Sequence, residues 1–351
     1  MTPRPAPARE LPLAGIRAIE LSHMVMGPTC GLVLADLGAE VIKVEPEGRG
    51  DPTRRLTSSG AGFFAAFGRN KKSVTLDLDS PEGRGAILGL VATADVFLEN
   101  FRPGALEAKG LGYAALSKVN PRLVYCSLSG YGADGPLADR PGHDVNYLAL
   151  AAGLAAGPLD GETLIRVPWV DLAAGTNAAF LILAALMQAR ETGLGRHLEV
   201  AMLDAAAIWA GAKPPRPGGE GAYGVFVAAD GGRVAVAVLE AEQWVRLCHA
   251  FGWEDWLADP AFADHDGRRA RHAEVTARLR EAIAARTVEA LVDLAVEYDV
   301  GISAVNDAAA AAADPQLAAR DLFGDGEAWR PLGPAAPMVP FAPAVTGGGE
   351  G

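Results

Sequence analysis

Three segments near the start of the chain, Ile16-Arg-Ala-Ile-Glu-Leu21, Pro28-Thr-Cys-Gly-Leu-Val-Leu-Ala-Asp-Leu37 and Glu40-Val-Ile-Lys-Val44, decide its fold class. The first and third are apolar and of strand length, whereas the second carries a proline near its first position and Gly38 as its stop, the polarity of a helix. They form a βαβ opening. Further strands are expected over 73–78, 95–99 and 123–128, with a helix between the first two that is capped at Asp79 or Ser80 ahead of Pro81. Strands alternating with helices predict an α/β fold, a parallel sheet covered on both faces. Residues 144–156 and 172–190 read as helices, and 199–210 as a short strand running into another helix.

At 351 residues the chain exceeds one ordinary hydrophobic core, which predicts two domains. The run Lys213-Pro-Pro-Arg-Pro-Gly-Gly-Glu-Gly221 places the linker. We therefore expect a large domain over 1–212, a linker over 213–222, a smaller α+β domain over 223–310, and a C-terminal segment, 311–351, that returns to the large domain. In the smaller domain two strands meet at Asp230-Gly231-Gly232, a hairpin turn, and are followed by helices over 242–251, 268–286 and 288–297 and a strand near 301–305. The polyalanine run 308–313 reads as a helix face, and the Pro- and Gly-rich tail from residue 329 as extended chain. A net charge of -12 argues against nucleic acid or an anionic membrane as partner, so an anionic ligand needs a local cluster of cations. Cys30, Cys126 and Cys248 lie far apart with no Cys-x-x-Cys spacing, which disfavours disulfides and a zinc site; no metal is expected. Residues 1–12 lack the apolar run of a signal peptide, and the longest apolar stretch, 178–189, is too short to cross a bilayer, so a soluble cytoplasmic protein is expected.

The turn after the first strand, Ser22-His-Met-Val-Met-Gly-Pro-Thr-Cys-Gly31, has neither Gly-x-Gly-x-x-Gly nor a P-loop, which removes most support for a nicotinamide oxidoreductase. Arg54, Arg55, Arg69, Lys71, Lys72 and Arg102 concentrate positive charge near strand ends, where open α/β sheets bind ligands, and this suggests a polyphosphorylated ligand as readily as solvated surface charge. Arg102, in Asn100-Phe-Arg-Pro-Gly104, sits in a tight turn. Asp171 follows an apolar strand over 167–170 and begins a long helix. It is either a helix cap or a carboxylate held ionised at the positive helix end, ready to act as nucleophile or base. His143, in Pro141-Gly-His-Asp-Val-Asn-Tyr147, is a structural corner residue or a proton carrier near neutral pH. Glu240 leaves the apolar strand 234–239 at what reads as a buried end, as a helix cap or as a partner for His143. His23 follows the first strand and could line the cleft, whereas His197 and His249 have no partner in sequence and His265 and His272 look solvated.

Together, Leu13–Ser22, Gly27-Pro28, Leu34–Glu45, Asn100–Gly104, Ser129-Gly-Tyr-Gly132 and Asp171 resemble the family III CoA-transferases (CaiB/BaiF), a group that includes the alpha-methylacyl-CoA racemases. The resemblance covers most of the chain. It implies a Rossmann-like, CoA-binding large domain plus a small domain, assembled as an interlocked homodimer of ring-shaped subunits, and an acyl-CoA substrate in which coenzyme A arrives as part of the thioester, with no permanently bound cofactor. Transferases of the family use the aspartate matching Asp171 as a nucleophile that forms anhydride and thioester intermediates, and racemases use it as an acid/base. The racemase branch also has Gly-His-Asp-x-Asn-Tyr, matched by Gly142–Tyr147, and a glutamate matched by Glu240; transferases usually lack that histidine and carry a glycine-rich loop not found here. The expected activity is inversion of a 2-methyl-branched acyl-CoA by His143 and Asp171, with Glu240 orienting His143. The alternatives are CoA transfer between carboxylic acids and non-catalytic binding of a CoA ester. Between Met202 and Tyr223 the family's longer loop is reduced to the Pro/Gly run, which changes the acyl pocket.

Overall fold

The computed structural model of the chain describes residues 11–56, 60–151, 167–210, 222–319 and 339–340. Two compact units divide it, one made of 1–212 with 322–351 and the other of 213–321.

In the first unit, β1 (Arg17–Leu21), β2 (Glu40–Pro46), β3 (Lys71–Leu76), β4 (Val96–Glu99), β5 (Val124–Ser129) and β6 (His197–Ala201) form a wholly parallel sheet in the order β3-β2-β1-β4-β5-β6. A short strand, Val339–Pro340, extends it by pairing with Lys72 and Ser73. The helices between strands are α1 (Met26–Asp36), α2 (Gly60–Gly68), α3 (Pro81–Val91), α4 (Tyr113–Val119), α5 (Asp144–Leu150) and α6 (Trp169–Thr192), with α7 (Met202–Ala210) after β6. One face of the sheet buries Cys30, Leu34, Ala178 and Ile182 of α1 and α6. The other buries Ile87, Val91 and Leu116 of α3 and α4. The progression of strand order reverses about the β1/β4 pair, the switch point where an open sheet leaves a crevice at its carboxyl ends.

Local chemistry explains most of these boundaries. Gly38 takes φ +100° after α1, and the Ser80 hydroxyl accepts the Gly83 N–H at the start of α3. Three expectations need correction. Residues 167–170 form no strand: α6 already begins at Trp169. The helix α6 runs for 24 residues, long and apolar enough to span a bilayer by length and composition. It owes its apolar character in part to packing on α1 through small residues: a Cβ on Gly175 would lie 2.5 Å from the Met26 carbonyl oxygen. Finally, the helix expected over 268–286 is two, α10 (His265–Ala270) and α11 (His272–Ala284), broken at Arg271.

The second unit carries the antiparallel sheet β7 (Tyr223–Val227), β8 (Arg233–Ala237) and β9 (Ile302–Ala304), with Gly231 at φ +80° in the hairpin turn. Its core sets Val234 and Val236 against Trp244, Leu247 and Leu291 of α8 (Ala241–Phe251) and α12 (Val288–Tyr298). Residues 213–221 of the linker and most of the 311–351 tail lie outside the described residues.

A candidate active site at the carboxyl ends of the sheet

The loop after β1 is fixed almost entirely by side chains. Lys43 Nζ donates to the Ser22 carbonyl (2.6 Å), the Asn100 amide brackets His23 by accepting its N–H (3.1 Å) and donating to its carbonyl (2.8 Å), and Thr53 Oγ1 accepts the Met24 N–H (2.9 Å). These bonds hold Met24, a non-glycine residue, at φ 64°. The loop leads into α1, whose N-cap residue Val25 offers no capping side chain. The carboxylate of Asp171, in the first turn of α6, feels the Met26 backbone N–H, which lowers its pKa.

Asp171 is therefore not the cap of its own helix. That role falls to Asp144, which sequence reasoning missed: its Oδ1 accepts the N–H groups of Val170 (2.7 Å) and Asp171 (3.1 Å). No local signal marks it, because the two residues are 27 positions apart. Asp144 in turn opens α5 behind His143, whose own N–H is held by Asn146 Oδ1 at 2.9 Å. The expectation of an Asp171 carboxylate held ionised by a helix end is overturned. Burial, followed by the negative charge of Asp144, pushes its carboxyl up to about 7 against the opposing Met26 N–H.

Asp171 and His143 line one cleft of about 180 Å³, and Asp171 is the one carboxylate among its described lining residues. Loops after β1 and β4 supply its walls, with His23, Met24 and Asn100 among the residues. The His23 Nδ1 is buried with no hydrogen-bond partner, and burial lowers the pKa of the ring. Tyr147 closes the cleft from below. Its hydroxyl lies 2.5 Å from where a Cβ on Gly130 would be, so only glycine fits there. His143 is exposed at the rim. A carboxyl raised to about 7 in a cleft that an imidazole also lines can attack an acyl carbon or carry a proton.

The cations do not gather as expected. Arg102 lines the cleft, its Nη1 3.4 Å from the Asp139 carbonyl. Arg54 and Arg55, in the turn after β2, lie on the same edge of the sheet, but Arg54 grips Glu45 through two bonds of 2.8 Å and lies over the Phe64 ring. Although burial opposes it, that grip, with help from Ser73, holds the Glu45 carboxyl at about 2. Arg55 donates to the Arg49 carbonyl. Arg69 and Lys72 sit at the opposite, amino edge, bound to Asp36 (2.6 Å) and Glu40 (2.5 Å), because residues before or at the start of a parallel strand lie at the end away from the crevice. Lys71 is buried against Glu20 at 2.6 Å. Of the other histidines, His197 Nε2 meets Ser127 Oγ at 2.8 Å and His249 Nδ1 meets Glu254 at 3.0 Å, partners that only the tertiary structure supplies.

Glu240 belongs to the second unit, at the N-cap position of α8, with its carbonyl accepting the Trp244 N–H at 3.0 Å. The strand before it ends at Ala237, short of Glu240, which stands exposed at the start of α8 and not at a buried strand end.

The model of CoA-transferase family III matches residues 13–346. The chain belongs to this family. It is 37% identical to a probable fatty acyl-CoA transferase of Mycobacterium tuberculosis, over 81% of this chain and 79% of that one, and 35% identical to a succinate–glutarate CoA-transferase of Agrobacterium fabrum, over 92% and 87%. A crystal structure of an aspartate-to-alanine mutant of the M. tuberculosis protein superposes with a TM-score of 0.78 at 34% identity, covering 91% of this chain and 88% of that one. A CaiB/BaiF family protein from Brucella suis gives 0.75 at 31% identity, over 93% and 96%. The fold of this family III member is thus the CaiB/BaiF fold. The names of the two transferase relatives speak for CoA transfer and not for racemisation.

Proposed function

We propose that the protein is a CoA-transferase that exchanges CoA between carboxylic acids through Asp171. The observation that carries this reading is Asp171, the one carboxylate among the cleft's described lining residues, in a chain whose relatives are named as CoA-transferases. In the reaction, the Asp171 carboxylate attacks the thioester carbonyl and expels CoA thiolate, leaving a mixed anhydride. The thiolate then attacks the aspartyl carbonyl, which releases the first acid as its carboxylate and leaves an aspartyl-CoA thioester. An acceptor carboxylate attacks that thioester, the thiolate departs again, and its attack on the acceptor's carbonyl forms the new acyl-CoA and returns Asp171. A carboxyl near 7 suits this work, since an ionised group of higher basicity is the better nucleophile. Arg102, with Arg55, is the cation we assign to the CoA phosphates.

Racemisation is the second reading, favoured by His143 on the same cleft as Asp171. Hydroxylamine added during turnover decides between the two: a transferase yields an Asp171 hydroxamate by mass spectrometry, whereas a racemase leaves Asp171 unmodified and exchanges the α-proton with heavy water at a rate that His143→Ala abolishes. We further propose a homodimer acting in the cytosol. Supporting it are exposed apolar residues along α6 and α7, namely Phe180 (62% exposed), Met187 (69%) and Trp209 (67%), and three reduced, buried cysteines. Sedimentation of the full chain as a dimer is the expected result.

A further inference from the structure

We infer that the acyl end of this cleft accepts an uncharged aliphatic acyl group and rejects one that ends in a second carboxylate. The inference rests on the reading of Asp171 as the reacting group and adds the class of acid it serves.

The walls next to Asp171 are apolar. Met26, Leu128 and Tyr147 are 2%, 1% and 2% exposed, and Met24 and Met202 are partly buried beside them. They come from separate elements: the loop after β1, α1, β5, α5 and α7. Unbranched methionine side chains repack around straight or branched alkyl groups. Charge is distributed the other way. The lining cations, Arg102 and Arg140, are exposed at the rim with His143, and Arg102 already faces the Asp139 carbonyl. His23, the histidine that reaches inward, is kept neutral by burial. The groups that act on the Asp171 carboxyl are its burial, the Asp144 carboxylate and one backbone N–H, with no cation among them. A dicarboxylate tail would bring a further negative charge to the cleft that Asp171 lines, where no described lining side chain offers a buried cation in return. An alkyl tail of the same length only exchanges water for Met, Leu and Tyr surface.

The test uses the full-length wild-type protein and two non-reactive thioethers that differ in one group, S-butyl-CoA and S-(3-carboxypropyl)-CoA, with binding read by calorimetry at pH 7.5. We expect the butyl compound to bind at least ~30-fold more tightly, and Met202→Arg, which places a cation on the wall, to cut that ratio by about tenfold. Binding of the two within threefold of each other, or tighter binding of the carboxylate, overturns the inference even if the protein proves to be a transferase. Selective binding of the butyl compound by a protein that transfers nothing from butyryl-CoA or succinyl-CoA sinks the transferase reading and leaves the selectivity standing.

Discussion

Glu20 and Asp171 are two carboxylates in the interior of the same unit, and they are held in opposite ways. Glu20 is fully buried and receives Lys43 at 3.1 Å, Lys71 at 2.6 Å and the Ser22 hydroxyl at 2.9 Å. Lys43 binds Asp51 as well, at 2.9 Å, so the charges beneath the β1 loop are matched on every side. Asp171 has one backbone N–H and a second carboxylate as neighbours. The first arrangement spends its charge on holding a loop. The second leaves a carboxyl undercompensated in a cleft, where it can react.

Replacing each carboxylate by its amide breaks the comparison most sharply. Asp171→Asn is expected to lower CoA transfer by ~10³-fold or more, while Glu20→Gln, which leaves the buried Lys71 without its carboxylate, is expected to cost ~3–5 kcal/mol in urea unfolding. On stability, Asp171→Asn goes the other way. The folded carboxyl binds its proton more tightly than the unfolded one, so its contribution to stability is complete below pH 4 and is lost as pH rises through about 7. The amide should therefore unfold at higher urea than the parent at pH 8, by ~2–4 kcal/mol, and should show little gain at pH 4. A loss at pH 8 would mean that the carboxylate is paired after all.

The pH dependence sharpens the same contrast. Because attack needs the ionised form, kcat/KM should rise with a limb near 7. Asp144→Asn keeps an oxygen to accept the Val170 and Asp171 N–H groups but removes the neighbouring charge. It should move the limb to lower pH and speed transfer at pH 6 by up to ~10-fold; an unmoved limb would discount Asp144 as a cause. The smallest effects separate the two edges of the sheet. Arg102→Ala is expected to raise KM for the acyl-CoA about fivefold, whereas Arg69→Ala and Lys72→Ala, at the amino edge, should change it by less than about twofold.

Much of this was legible along the chain. Gly38, Ser80 with Pro81, and the alternation of apolar strands with helices act over a few residues, and the βαβ order that they impose is the order observed. The cleft was legible as a place, since ligands gather at the carboxyl ends of such sheets, and His143, Asp171 and Arg102 do line it. The cation cluster was not legible in the same way: closeness to a strand in sequence does not tell which end of the sheet a side chain reaches, and Arg69 precedes β3 and Lys72 stands at its start where Arg102 follows β4. Glu240 misled because the apolar run outlasts its strand: β8 stops at Ala237, and Glu240 stands exposed at the start of the next helix.

By itself the sequence determined the element types, their parallel order and the residue kinds available to the cleft, because propensity, caps and hydrophobic period are short-range properties of the chain. Tertiary structure alone decided the state of Asp171. Its proton affinity is set by a helix start 145 positions earlier, by a carboxylate 27 positions earlier and by exclusion from water. Those are interactions through space, and no spacing along the chain encodes them.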